Sequence, residues 1–594
     1  MKIATGARNA SCLTDGMQRR SSLGRIAFLV WCCACAGGSK DELGRGSDGP
    51  QSPTRGPGAG AEPGIGGAAG SAAAGKPATT DPTSLPPEVE LTVDLQLPQA
   101  SEHYVYAANP EAGTVAVIDA TTQAIHSIVT GDHPTYLRTL AGRDSAIVLN
   151  VGSTRQSSVA PTASVIRTRD GASTSNEIDV VAGANAIGVA PDAKHAVVYY
   201  DSSYASAGAS SGSFQDVSVL SLSADGKDDR AVAMTVGFRP RALYFADDGS
   251  RAFVVTEDGV SVLDFAQIER DGPGIARLVT FGDIDLKALD VAISPDGRYA
   301  LARAEGQSQL HLAALDGSAT APQALDLASA YRAPEPDADA GVPEMQPVVV
   351  TDLDVLPDGS MAVAVLRNQH ALLTIPLPSG FRDPSQVKTI SVGEEIVGSV
   401  SVSNDAKHAL LYTTAVEIER ITIVALDGSS APRTVALRKA VQAVAFTPDD
   451  KNALITHKRV DGDPNQPGIS ADLKLDRAFG YSLLRVASGD VKLQQTDTAL
   501  GPIAMVPDSS FLFILFRNDA TKLREVHRVS LASFLVDPIT QLENPPLSIG
   551  TAAASKSVFI NLQHPDGRMT FIRWDDPNKI KTVTGFELNS RIRN

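Results

Sequence analysis

The sequence is poor in residues that announce a reaction. Cysteine is confined to Cys12, Cys32, Cys33 and Cys35, and none follows in a chain of 594 residues. The Cys32-Cys33-Ala34-Cys35 cluster has no second Cys or His pair at ligand spacing, so it is no zinc site. The ten histidines are scattered, with no H-E-x-x-H, H-x-H or C-x-x-C-H, which removes the familiar zinc-protease and haem-attachment signatures. No phosphate loop of the form G-x-x-x-x-G-K-S/T occurs, and no G-x-G-x-x-G opens a helix. No run of about 18 apolar residues follows position 40, so no internal helix spans a membrane. The net charge is −16, without the clustered Lys and Arg that nucleic acid requires. No nucleic-acid partner is expected. The G-x-S-x-G match at residues 208–212 lies inside ASAGASSGS, where composition alone produces it; a nucleophile elbow needs a strand before it and a helix after.

What the chain does have is one sentence, repeated. Residues 289–303 read LDVAISPDGRYALAR. Val291 and Ile293 alternate with Ala292 and Ser294 at the period of a strand. Pro295-Asp296-Gly297 turns the chain, and Tyr299 and Leu301 alternate on the way back. Further copies carry Asp192, Asp248, Asp358, Asp405, Asp449 and Asp508 at the same turn position, in steps of 44 to 62 residues. Degenerate copies begin near Leu97, Leu140 and Ala553. Gly249, Gly297 and Gly359 suit the left-handed turn position, whereas Ala193, Ala406, Asp450 and Ser509 predict a different or strained turn. The recurring Asp is explained by turn chemistry.

Two more strand-like runs follow each hairpin, such as 114–119 (TVAVID) and 124–130 (AIHSIVT). Four short antiparallel strands per unit at this period predict an all-β fold, a β-propeller of four-stranded antiparallel blades. Nine or ten hairpins predict about eight or more blades in one ring. Two smaller rings are the alternative, but no Pro/Gly/Ser linker divides the middle of the chain. Residues 104–135, YVYAANPEAGTVAVIDATTQAIHSIVTGDHPT, resemble the YVTN family of propeller repeats. Tyr104, Val105, Gly113-Thr114-Val115, Val117-Ile118-Asp119, Gly131 and Pro134 carry the likeness. Ala107 stands where that family has Asn. The resemblance implies a propeller over about residues 90–590, and its broader relatives include surface-layer, lactonase-like and quinoprotein-like propellers.

The N-terminus reads as a targeting segment, 1–35. Arg19, Arg20 and Arg25 precede the apolar run 26–31, and Met17 would give a compact start. A cysteine cluster kept only at the cleavage site resembles a bacterial lipoprotein, with Cys35 as the lipidated residue and Cys33 as the fallback. Cys32 departs from that pattern, which usually has Leu there. An ordinary secretory signal is the bland alternative. Residues 36–87 are a Gly/Ala/Ser/Pro tether expected to be disordered, and 88–594 hold the propeller. The implied address is the bacterial cell envelope, with membrane contact through the lipid anchor alone.

Loops on a rigid ring are where binding usually sits. Insertions fall at 202–213, 319–346, 459–477 and 538–546. In the third of them Asp461, Asp463, Asn465 and Asp472 match positions 1, 3, 5 and 12 of a calcium loop. Gln466 replaces the turn Gly, and Asp replaces the bidentate Glu. Possible Ca²⁺ there is weighed against a solvated acidic loop. Asp337 and Asp339 make a poorer match. His195 and His408 both stand in D-A-K-H-A, which favours a structural blade position. The expected function is a binding or scaffolding platform for an envelope protein or a polysaccharide, as a monomer. The alternative is a lactonase-like or quinoprotein-like enzyme with a site in the central channel. No catalytic residue is singled out.

Overall fold

The computed structural model describes residues 99–152, 160–201, 214–282, 289–304, 307–318, 321–331 and 347–587. Its strands form ten sheets. Each contains four antiparallel strands that are consecutive along the chain and hydrogen-bonded in sequence order. Numbered from the N-terminus, the blades occupy 99–129, 134–179, 186–235, 242–279, 289–326, 350–391, 399–436, 441–496, 500–541 and 546–584. Blade 3 gains a fifth, parallel strand, Gly274–Ile275, from the segment that goes on to form the outer strand of blade 4.

The blades close into one ring. Ten separate apolar clusters fill the ten interfaces between successive blades. The last of these packs Ala552, Phe559, Met569 and Phe571 of blade 10 against Val105, Ala116 and Ile118 of blade 1. The count expected as eight or more is therefore ten, in a single ten-bladed propeller, above the usual four to eight. Among the described residues no strand is exchanged across this seam. Beyond apolar packing it is joined by Lys581 Nζ donating to Gln123 Oε1 at 2.8 Å and by Ala554 N donating to Glu102 O at 3.3 Å. The innermost strand of blade 1, Gln99–Ala100, has two residues, paired with Tyr106 and Val105.

Because each blade is covered on both faces, the alternation in the hairpins is one of size. Val291, Ala292, Ile293 and Ser294 are all buried. The second strands are buried end to end, as in Ser145–Asn150 and Asn452–His457. Exposure returns on the fourth strands, such as Ile125–Val129 and Arg433–Ala436, which form the rim.

The hairpin turns share one geometry. Asp248, Asp296, Asp358, Asp405, Asp449 and Asp508 each accept with Oδ1 the backbone N–H two residues on. The turn position is left-handed whatever occupies it: Gly249, Gly297 and Gly359 have φ of 66° to 70°, and Ala193, Ala406, Asp450 and Ser509 have φ of 54° to 59°. The turn type does not vary where glycine is missing. The neighbouring turn supplies bonds instead. Asp450 accepts from Asn404 N at 2.7 Å and Asp405 N at 2.8 Å, and Ser509 Oγ accepts from Asp449 N at 3.2 Å.

A second recurrent device appears only once register is known. One position on the fourth strand, opposite the third-strand residue two before its end, sends a polar side chain to the next blade's connection between strands three and four. Asn176 reaches Gly226 O, Arg277 reaches Leu315 O, Arg433 reaches Val486 O and Ser488 O, Lys492 reaches Phe534 O and Lys581 reaches Gln123 Oε1. Their register partners Val165, Val262, Ile423, Leu483 and Phe571 are equivalent. Arg167 and Arg485, beside this position on strand three, reach Ser223 O and Ala532 O. These cross-blade latches satisfy carbonyls that rim loops would otherwise leave to water.

Candidate functional site

Strand direction sorts the connections by face. In an antiparallel blade the turn between strands one and two shares a face with the connection between strands three and four. The connection between strands two and three shares the opposite face with the crossing to the next blade. The turns lie on the first face. Of the long interruptions around 153–159, 202–213, 332–346 and 458–478, the first three lie outside the described residues and the fourth lies on the second face.

The fourth of these is described throughout. It joins Asn452–His457 to Phe479–Arg485 in blade 8, the place expected from sequence. Its helix, Ala471–Arg477, starts at Ser470, whose Oγ accepts from Leu473 N at 3.1 Å. It ends on Lys439, from the crossing between blades 7 and 8, whose Nζ donates to Leu475 O at 2.7 Å and Asp476 O at 3.1 Å. Lys439 is 1% exposed. Burial lowers its pKa, while Asp476 and Glu419 oppose that. An ammonium at a helix C-terminus meets both the open carbonyls and the negative end of the helix dipole. Arg459 lies over the Phe479 ring at 4.5 Å and donates to Arg477 O and Gly462 O. Arg477 donates to Gln466 Oε1 at 2.8 Å and fills the space beside Gly462. Lys458 Nζ donates to Thr414 O of blade 7. Lys439 and Lys458 thus tie this insertion to the ring, while Arg459 and Arg477 bond it to itself.

The acidic residues it carries stay outward. Asp461 and Asp463 are exposed, and Asp463 Oδ1 accepts from Asn465 N at 2.8 Å. Asp472 occupies the first turn of the helix. Beside them Glu419 has its pKa raised, first by burial and then by the charges of Asp476, Asp472 and Glu417. Among the described residues no group of three or more His, Cys, Asp or Glu is placed to hold a metal ion, so the four calcium-loop candidates are not gathered as a set. Beneath the insertion, His457 Nε2 pairs with Ser482 Oγ at 2.7 Å, and its Nδ1 lies 3.2 Å from Ala440 O. Burial lowers its pKa to about 4.

The other candidates fall as follows. His195 and His408 open the second strands of blades 3 and 7, equivalent positions as their shared motif implied. His195 stacks on Phe265 at 4.3 Å and lies 3.2 Å from Glu269 Oε1. On the innermost strand of blade 6 the buried carboxylate of Asp352 accepts from Leu353 N and, across to blade 7, from Val400 N at 2.7 Å, which makes it a stitch between blades. Cys33, Cys35, residues 208–212, Asp337 and Asp339 lie outside the described residues. Sequence reasoning missed Lys439 and the latches. Nothing local marks them, because their partners sit on other strands.

The geometry defines a closed ten-bladed β-propeller with one turn-lined face and one insertion-bearing face. Comparison with known proteins adds no family to that class. No family model matches the chain, and no curated protein matches it. Solved structures resemble it at the level of the fold. A eukaryotic initiation factor is 12% identical, with 82% of this chain and 97% of that chain covered at a TM-score of 0.44. The dihydro-heme d1 dehydrogenase NirN is 14% identical, covering 64% and 74%, at 0.35. AztD from Citrobacter koseri is 13% identical, covering 66% and 94%, at 0.34. The YVTN resemblance accordingly stands as a propeller fold, without family assignment.

Proposed function

We propose that the protein is a binding platform that works from its insertion-bearing face, tethered to the bacterial envelope by a lipid on Cys35, or on Cys33 in its place. The observation behind this reading is the asymmetry of the ring. One face spends its connections on bonding to itself, and the other carries the long insertion 458–478, braced by Lys439, Lys458, Arg459 and Arg477 with acidic groups outward. A braced loop loses little conformational freedom on binding. The partner is an envelope protein or a polysaccharide with basic or hydroxyl-rich groups to meet Asp461, Asp463 and Asp472.

The test is cross-linking in intact cells followed by recovery of the head. Asp461→Lys with Asp463→Lys abolishes the cross-linked species, whereas Asp358→Lys on the opposite face leaves it. Equal recovery from both variants overturns the assignment of the face. Cys35→Ala moves the protein to the soluble fraction. Membrane retention of that variant and of Cys33→Ala alike overturns the anchor.

A further inference from the structure

Latches join five of the ten interfaces, and the interface between blades 5 and 6 is not one of them. By register Gln323, opposite Leu312, takes the position of Arg277, Arg433, Lys492 and Lys581. Ala314, opposite Tyr299, takes the position of Arg167 and Arg485. Ala314 has no polar atom to offer, no bond from Gln323 to the next blade takes the latch's place, and Gln323 Oε1 is buried without a hydrogen-bond partner. The room the cation leaves is a cleft of about 250 Å³, lined by Tyr299, Leu312, Ala314, Asp316, Gln323 and Arg382 among others. At the blade 3–4 interface the corresponding flank is filled by Phe265 stacked on His195. Arg382 ends the short helix Ser379–Arg382 in blade 6, in the same connection between strands three and four that receives the latch in other blades.

We propose that this cleft binds a basic α-amino acid, arginine or lysine, whose side-chain cation takes the place of the missing latch. Three features set that class. At five of the ten interfaces the equivalent niche accepts a guanidinium or an ammonium. Its acceptors here are the Asp316 carboxylate, whose Oδ1 also holds the Ser318 N–H at 2.9 Å, together with the Gln323 amide and the Tyr299 phenol. The Arg382 guanidinium, exposed at the same cleft, supplies a fork for the ligand's carboxylate. The volume lies below the roughly 300–1,000 Å³ of drug-sized pockets, which suits a single amino acid. The site is on the turn-lined side of the rim, so it is independent of the platform face.

Titration calorimetry of the full-length protein with L-arginine, L-lysine, L-alanine and agmatine tests this. Arginine or lysine binds saturably at one site, and alanine does not. Gln323→Arg, which restores the latch of blades 4 and 7, weakens arginine binding at least tenfold. Asp316→Asn, a rim substitution that spares the core, does the same. Arg382→Ala weakens arginine but leaves agmatine, which has no carboxylate, within threefold. Absence of saturable arginine and lysine binding to the wild type overturns the proposal, as does unchanged arginine affinity in Gln323→Arg or, should that variant not fold, in Asp316→Asn.

Discussion

The two faces of the ring are made by the same ten blades yet resist change differently. On the turn face, successive hairpins bond to one another: Asp450 holds Asn404 and Asp405, and Gly249 leaves no room for a side chain beside Asp192. On the insertion face, the insertion 458–478 is attached to the ring through Lys439 and Lys458, and its acidic residues Asp461 and Asp463 are exposed. A face bonded residue to residue tolerates little substitution. A face bonded through a few anchors can vary its sequence freely between them, which is the condition for acquiring a binding specificity without loss of fold.

The largest contrast comes from two glycines of similar backbone conformation. Gly297 has φ of 66° and a Cβ there would lie 2.7 Å from Phe253, whereas Gly468 has φ of 83° with nothing within 4 Å. Gly297→Val is expected to cost about 3–4 kcal/mol through the left-handed backbone and the clash. Gly468→Ala should cost about 1 kcal/mol through the backbone alone. Urea denaturation of both variants measures this, and equal losses would dissolve the distinction.

Acid separates the faces next. His457, under the insertion, has a folded pKa of about 4 against an ordinary value of 6.5. The unfolded chain therefore binds the proton first, and stability falls as pH drops from about 6.5 to about 4. The loss approaches about 3 kcal/mol at the lower limit. His457→Gln should flatten that slope in unfolding measured across pH. The turn aspartates respond later. Hydrogen bonds from the Ser250 hydroxyl and N–H hold Asp248 below the usual carboxylate range, and at Asp405 those from Ser403 and Lys407 outweigh the burial that opposes them. Their stabilisation is present above the ordinary carboxylate pKa and is lost only as pH falls through the depressed values.

Lys439→Met strips two helix carbonyls of their donor. It should cost roughly 1–3 kcal/mol, expressed locally as faster hydrogen exchange and proteolysis within 458–478 while the rest of the ring keeps its protection. A uniform loss across all blades would show the insertion to be part of the ring's own cooperative unit. The smallest effects come from single aspartates. Asp358→Ala removes bonds to the Ser360 N–H and hydroxyl and should cost roughly 1 kcal/mol. Asp463→Ala, exposed on its loop, should stay within about 0.5 kcal/mol. Thermal melts rank the pair.

The fold was legible wherever the chemistry is local. Asp296-Gly297 and Asp358-Gly359 mark hairpins because a turn needs those residues in that order, and seven clear turns were enough for a propeller. The number ten was not fully legible. Blades 1, 2 and 10 turn through degenerate sequences, and Ala193, Ala406, Asp450 and Ser509, the last two with bonds to a neighbouring turn, adopt a backbone that glycine would mark openly. The insertion at 459–477 was visible as an interruption of strand pattern. Its bracing was not, since Lys439 and Lys458 act on groups from other elements. Residues 538–546, read as a connection, include the outer part of a rim strand, Val536–Gln541, which is Pro-containing and so lacked a strand signal. The latch positions Arg277, Arg433, Lys492 and Lys581 share no sequence motif. They share a register.

The seam and the chain's entry point coincide, and this sets how the molecule carries load. The described chain begins at Gln99, in a strand of two residues on the blade that closes against blade 10. Tension arriving along the preceding segment acts first on the two register pairs to Tyr106 and Val105. It then acts on an interface that, among the described residues, is joined by apolar packing and few polar bonds, with no shared strand. Such a strand peels bond by bond, so its rupture force is low. Shear from a moving partner would therefore be relieved at blade 1, which works as a mechanical fuse and leaves the distant latched blades 7, 8 and 9 unstrained.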